Sequence, residues 1–305
     1  VRIGLAAYGL SGPELVRLTV AADAAGFEEV WVGEHVVLPV GYASDHPTKG
    51  TVSHQQHTRP IIDPGTELVD PLVALAACAA STTSIRLATG MYLGALRPPL
   101  VTARMAYTLH QLSGGRFVMG LGAGWLVEEF TAIGVSFEGR WRRLEETLEI
   151  LRRAWAGGPF SYRGSCFAFD SVQICRDPID VPVILGGNSP TALKRAARLG
   201  DGWFSSGTPS LDDSCRYRDG LLAEREAAGR TDPFDICVRL AGSEATSIEA
   251  YAAEGFDHVV IWADQAWAES VEPDERPAHL RSVAERLGVS PRGSGRSSGR
   301  DRLDP

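Results

Sequence analysis

Eight short apolar runs, each followed by a longer stretch of helical character, recur from one end of this chain to the other. They fall at residues 3–8, 29–33, 86–92, 117–122, 181–186, 202–205, 235–240 and 258–262. Several are unbroken, as in Val259-Val260-Ile261-Trp262, which is the pattern of strands covered on both faces. The intervening segments carry helix punctuation. Asp70-Pro71 and Ser189-Pro190 each pair an N-cap side chain with a proline at the first helical position, and Gly200 stands where the second helix should stop. Over residues 141–155, Trp141, Leu144, Leu148, Leu151 and Trp155 recur at helical spacing, the stripe of a helix packed on a core. Eight such units over residues 1–290 predict a single-domain α/β fold, a (β/α)8 TIM barrel. An open doubly wound sheet has the same alternation and stays as the alternative.

Two stretches interrupt the rhythm. Residues 36–69, after the second strand, are polar and rich in His, Pro and Gly, and are long enough to cross the barrel mouth. Residues 160–178, before the fifth strand, alternate Phe160, Tyr162, Phe167 and Phe169 in the manner of a small hairpin. Residues 291–305 have almost no apolar content and are expected to be a disordered, solvated tail. The balance of 30 basic against 38 acidic side chains argues against nucleic-acid or anionic-membrane partners. A small-molecule substrate is the expected partner, a homo-oligomer is compatible, and an anionic ligand would need its own local donors. No apolar run approaches the roughly 20 residues of a membrane span, and the chain opens directly on strand-like sequence, so no leader is expected. The cysteines Cys78, Cys166, Cys175, Cys215 and Cys237 form no CxxC pair, as expected of free thiols in a reducing cytoplasm.

In a barrel of this kind the chemistry sits at the C-terminal strand ends, and four of those ends are unusual. The second reads Trp31-Val32-Gly33-Glu34-His35: an imidazole that can exchange a proton near neutral pH, with a carboxylate beside it that can bias its tautomer or charge. The third, Thr89-Gly90-Met91-Tyr92-Leu93-Gly94, has glycines that serve either a bulge, the close approach of a flat ligand, or a simple kink. The fourth, Gly120-Leu121-Gly122-Ala123-Gly124-Trp125, lacks the third glycine and the later acidic residue of a dinucleotide fingerprint, although backbone without Cβ atoms can still approach an anion or a ring. The fifth, Gly186-Gly187-Asn188-Ser189-Pro190, runs straight into a helix whose free N–H groups and hydroxyls could cradle a phosphate, or could simply be an N-cap. Lys194 and Arg195 lie one turn on, where they could add charge to that cradle or read simply as solvated helix-face residues. His46, His54 and His57 share a loop without metal-ligand spacing, so no metal is expected there. His258 starts its strand and so belongs to the opposite end of the barrel. There is no GxSxG elbow.

The segments GFEEVWVGEHVVLPV, DPLVALAACAASTTSIRLATGMYLGALRPP, LSGGRFVMGLGAGWLVEEFTAIG and VPVILGGNSPTALKRAARLGDGW, in this order, resemble the luciferase-like superfamily, and within it the branch that uses the deazaflavin coenzyme F420. The resemblance covers roughly residues 1–210. It implies a (β/α)8 barrel with an insertion before the fifth strand, His35 near the reactive edge of the ring, and Glu34 as an acidic cofactor contact. It also implies a non-prolyl cis peptide at Gly90-Met91, a turn at Gly122, Ala123 and Gly124 beside the cofactor's tail, and a phosphate turn at Gly186, Gly187, Asn188 and Ser189. Trp125 departs from the pattern: related sugar-phosphate dehydrogenases carry a catalytic glutamate there, which puts that reaction in doubt and favours an apolar substrate pocket. The leading expectation is hydride exchange between F420 and a small organic substrate. The rivals are an FMN-dependent monooxygenase on the same scaffold and a non-catalytic flavin- or deazaflavin-binding protein.

Overall fold

In the computed structural model, which describes residues 1–47, 63–266, 271–272 and 274–291, parallel strands close into a barrel. Its staves are β1 (Arg2–Ala7), β2 (Glu29–Val32), β3 (Arg86–Thr89), β5 (Phe117–Gly122), β8 (Val183–Gly186), β9 (Gly202–Phe204), β10 (Asp235–Arg239) and β11 (His258–Trp262). Each pairs with the next, β3 meets β5 at Leu87↔Phe117, and β11 returns to β1 at Leu5↔Ile261. That closing pair rules out the open sheet. The third stave differs from its expected length. It stops at Thr89, and after the cis bond between Gly90 and Met91 a short β4 (Tyr92–Leu93) resumes the line against Leu121 and Gly122 of β5.

Around the barrel run α1 (Gly12–Ala25), α2 (Pro71–Ser81), α3 (Pro99–Leu112), α4 (Val127–Ile133), α5 (Arg140–Trp155), α6 (Pro190–Leu199), α7 (Leu211–Ala227), α8 (Ala245–Ala253) and α9 (Arg276–Arg286). Their starts are set by the side chains the sequence supplies. Asp70 accepts from the Leu72 and Val73 N–H groups at 3.0 Å, and Ser189 accepts from Ala192 at 3.2 Å. Ser11 and Glu14 complete a capping box on α1. On α5 the stripe buries Leu144, Leu148, Leu151 and Trp155, while Trp141 stays partly exposed.

The expected hairpin is there: β6 (Phe160–Arg163) runs antiparallel to β7 (Ala168–Val172), with Tyr162 opposite Phe169. Glu146 of α5 holds its turn by accepting from the backbone of Ser165, Cys166 and Phe167. Of the cysteines, all free, Cys78, Cys175 and Cys237 are buried and Cys166 and Cys215 are partly exposed. His54, His57 and the tail beyond residue 291 lie outside the described residues. Among those described, no helix is long and apolar enough to cross a membrane.

The larger core lies between staves and helices. A second fills the barrel itself: Ala6, Trp31, Ala88, Val118, Ile184, Phe204, Cys237 and Val260, one from each stave. The interior is therefore packed rather than a pore. Trp31 and Phe204, on opposite staves, meet with ring centroids 4.6 Å apart and plug the centre. Whatever binds must rest above that plug, at the C-terminal mouth.

Candidate active site

The chain leaves β2 through Glu34 and His35, and their side chains part company there. Adjacent side chains of an extended chain leave on opposite sides. Glu34 is buried and accepts from the Leu93 N–H at 2.6 Å and from Arg97, which also reaches Asp70 at 3.5 Å. Burial raises its carboxyl above the ordinary range, with Arg97 and the Leu93 N–H opposing. Glu34 thus anchors the backbone just beyond the bulge. The expectation that it biases His35 is corrected by the contacts.

The partner of His35 is Glu129 of α4, whose Oε2 lies 3.1 Å from Nδ1. Glu129 is fully buried, and its other oxygen takes the backbone N–H groups of Val36 and Val37, so it fixes both the imidazole and the chain that carries it. A carboxylate only accepts, so Nδ1 carries the hydrogen, and Nε2 has no hydrogen-bond partner among the described residues. Tyr8, at the end of β1, presents a second unengaged group: its hydroxyl is buried without a hydrogen-bond partner among the described residues. Burial first, and then the Glu129 charge, pushes the phenol up to about 12, so it is a proton-bearing donor at neutral pH.

Three glycines of the fourth and fifth strands, Gly120, Gly122 and Gly186, have one shared explanation. A Cβ on Gly120 would stand 1.9 Å from the Thr89 carbonyl, one on Gly122 would stand 3.2 Å from the Met91 Cβ, and one on Gly186 would stand 3.2 Å from its Cγ. They form a socket for the bulge and the Met91 side chain, so the room beside Gly122 and Gly186 that a Cβ would need is taken by Met91. Gly187 is different: at φ 111° it needs glycine in its own right, and a Cβ would meet Ala192 at 2.9 Å. Asn188 exchanges two 2.8 Å hydrogen bonds with the backbone of Ser206, and the Ser189 hydroxyl oxygen accepts the bond that caps α6. A phosphate at this turn would meet backbone N–H groups and the Ser189 O–H, which the cap does not use. Lys194 faces Glu224 at 3.8 Å and Arg195 bonds Glu145 at 2.7 Å, so neither is a free counter-ion. Arg140 is better placed. It donates to the Gly124 carbonyl at 3.1 Å, beside Ala123, and has no carboxylate partner among the described residues.

Trp125 forms an aromatic cluster over the mouth, edge-on to His35 at 6.0 Å and to Tyr42 and His46 of the excursion at 6.1 and 4.7 Å. Glu128 ties that excursion down through the Ala43 N–H and the Ser44 hydroxyl, both at 2.7 Å. His258 lies at the opposite end of the barrel, as its place in the strand required. It sits between Glu29 and Asp235, with Cys237 3.1 Å from Nδ1. Glu29, Cys237 and His258 are ligand types close enough to share an ion. With a carboxylate at each imidazole nitrogen, however, the group is an ion-pair network.

The residues that sequence reasoning missed are Glu129, Tyr8, Arg97, Arg140 and Arg239. Of these only Tyr8 and Arg239 lie at strand ends that could have flagged them; Glu129 and Arg140 sit on helices, and the His35–Glu129 contact spans 94 positions.

The description of the luciferase-like monooxygenase family matches residues 3–294, and the chain belongs to that family. It is 29% identical over 248 residues to an uncharacterized protein of Mycobacterium tuberculosis, covering 81% of this chain and 83% of the relative. Over 158 residues it is 35% identical to the 5,10-methylenetetrahydromethanopterin reductase of Archaeoglobus fulgidus, covering 52% of this chain and 47% of the reductase. Among solved structures, the monooxygenase RslO1 of Streptomyces bottropensis superposes with a TM-score of 0.72 at 20% identity, covering 94% of this chain and 98% of that one. An F420-dependent secondary alcohol dehydrogenase, solved with an F420–acetone adduct, superposes with a TM-score of 0.71 at 16% identity and the same coverage. Family membership and the barrel make this chain a luciferase-like oxidoreductase or monooxygenase.

Proposed function

We propose that the protein exchanges a hydride between coenzyme F420 and a small organic substrate. The observation that carries the reading is His35, locked at Nδ1 by buried Glu129 and left unengaged at Nε2 at the mouth, among strand ends that hold a bulge and a glycine turn. The site suits a flat, anionic-tailed cofactor on this structure's own terms: the mouth has buried, unpartnered polar atoms, an open backbone turn at Gly187 and a cation at Arg140 without a carboxylate. The likeness to the archaeal reductase and to the F420-dependent dehydrogenase supports the choice of cofactor.

When bound, the deazaflavin supplies a hydride donor or acceptor at a ring carbon. The chain's own residues do the rest. Gly187 and the N-terminus of α6 offer backbone donors for the tail, and Arg140 offers charge. The Met91 bulge, held from below by Glu34 through Leu93, forms a firm wall for the ring. His35 Nε2 takes or gives the proton that accompanies the hydride, and Glu129 stabilises the imidazolium that results. Trp125, Tyr42 and His46 cover the site against water.

The test is titration of the purified protein with F420 and with FMN, followed by turnover of His35→Ala. Micromolar or tighter F420 binding is expected, with a loss of about 10²–10⁴-fold in turnover and little change in cofactor affinity for the variant. FMN binding in the absence of F420 binding would assign flavin monooxygenase chemistry instead. Unchanged turnover in the variant would leave a cofactor-binding protein without this mechanism.

A further inference from the structure

The last residue of β10 is a cation with nothing to neutralise it. Arg239 follows Cys237 by two positions, so its side chain enters the barrel on the same side, one layer above the plug. Its guanidinium lies 4.1 Å from the ring centre of Trp262 and 5.6 Å from that of Phe204. Nε is buried without a hydrogen-bond partner, and no carboxylate pairs with the group among the described residues. Burial lowers its pKa to about 10, so it remains charged at neutral pH. Of the other arginines at the mouth, Arg97 has Glu34 and Asp70, while Arg140 and Arg143, also without a carboxylate among the described residues, have the Gly124 and Ala95 carbonyls as hydrogen-bond partners.

An unpaired charge held among aromatic rings is costly to keep and is characteristic of a site completed by a ligand. A guanidinium seated over the Trp262 ring meets it through its π face and keeps N–H groups for a planar oxyanion. The topology says where that anion would lie. In the closed order, β10 is four steps from β3 in either direction, so Arg239 stands across the mouth from the Met91 bulge. A ring resting on the bulge leaves the substrate between it and Arg239.

We propose that Arg239 is the receptor for a carboxylate on the substrate, and that the substrate class is small carboxylic acids with an apolar or aromatic body, lodged against Phe204 and Trp262. This deepens the reading of the mouth as a hydride-transfer site and rests on it for the position of the ring. The binding of a carboxylate, by contrast, is a property of the protein with or without cofactor.

The experiment titrates benzoate and its uncharged isostere benzamide into the cofactor-free protein, followed by tryptophan fluorescence, and into the cofactor-loaded protein, followed by ring absorbance. The wild type is expected to bind benzoate at least tenfold more tightly than benzamide in both states. Arg239→Gln should abolish the preference, and Arg239→Lys should retain part of it because it keeps the charge but loses the fork. F420 affinity should stay within threefold in both variants. A wild type without the preference, or a preference intact in Arg239→Gln, overturns the proposal. So does a tenfold loss of F420 affinity in Arg239→Gln with the benzoate preference retained, which would make Arg239 the counter-ion of the ring. If the wild type binds neither F420 nor FMN, the cofactor reading fails, while the cofactor-free titration still decides the role of Arg239.

Discussion

The two ends of the barrel hold similar side chains in opposite conditions. At the N-terminal end, Glu29, Asp235 and His258 are buried or nearly so, and each faces an opposite charge. Asp235 takes Arg2 at 2.8 and 3.2 Å, Glu29 takes Arg86 at 3.4 Å and the Trp31 indole N–H at 2.5 Å, and His258 lies between the two carboxylates. At the C-terminal end, Tyr8, His35 and Arg239 each keep a polar atom unengaged. Groups of the same chemistry are consumed by the fold at one end and held in reserve at the other. Substitutions at the floor should therefore be read in stability, and substitutions at the mouth in binding and turnover.

The largest effect expected from this contrast is at His258. Replacing it with Leu leaves the carboxylates of Glu29 and Asp235 without their shared cation, and breaking a buried pair in this way costs about 3–5 kcal/mol. Urea denaturation should show a loss of that order, with cofactor affinity per folded molecule unchanged. A loss under about 1 kcal/mol, or a weakened cofactor site, would break the division between floor and mouth.

The same network sets a pH window. Burial alone would lower the pKa of His258, but Cys237, Glu29 and Asp235 raise it well above the ordinary value. Burial also holds Cys237 as a neutral thiol, pushed up to about 12, so at neutral pH the two carboxylates carry the effect. Against burial, contacts with His258 and Arg2 hold Asp235 below the usual carboxylate range. A raised histidine contributes stability that is complete below its unfolded pKa of about 6.5 and is lost as pH climbs through the folded value. A depressed aspartate contributes stability above about 3.9 that is lost as pH falls through its folded value. The network should therefore be strongest between roughly pH 4 and 6.5. Denaturation midpoints of wild type and His258→Gln should differ most there and converge toward high pH. A gap that widens with rising pH would contradict a charged His258.

The contrast also explains what could be read in the sequence. Short apolar runs, several of them unbroken, reported every stave, because a barrel strand is covered on both faces and has little polar side to interrupt it. The 86–92 run was split by the Gly90–Met91 bond, and an apolar pattern does not register a break that keeps its residues apolar. The Glu34-His35 pair marked the end of β2, but adjacency in sequence misled about partnership. Glu34 serves Leu93 and Arg97, while Glu129, far along the chain, serves His35. Gly122 was noticed for its missing Cβ and Gly186 for the turn it opens, yet what lies against both positions is Met91. Arg239 left no signal beyond its place at a strand end, since one arginine closing a strand is ordinary until its surroundings are seen.

Tyr8 gives the smallest expected effect and the finest test of the comparison. Its hydroxyl is buried, protonated and unbonded, so Tyr8→Phe removes a desolvated donor that contributes no hydrogen bond to the fold. A paired buried hydroxyl is worth about 1 kcal/mol, and its loss would lower stability by that much. At Tyr8 the stability should instead stay within about 0.5 kcal/mol of wild type or rise slightly, because the orphaned group carried a desolvation cost. Calorimetry or urea unfolding decides this. If the hydroxyl is held for a ligand, the same variant should weaken cofactor or substrate binding several-fold. A clear loss of stability with binding intact would place Tyr8 with the residues of the floor, and would show that an unpaired polar atom at the mouth is not by itself a mark of the site.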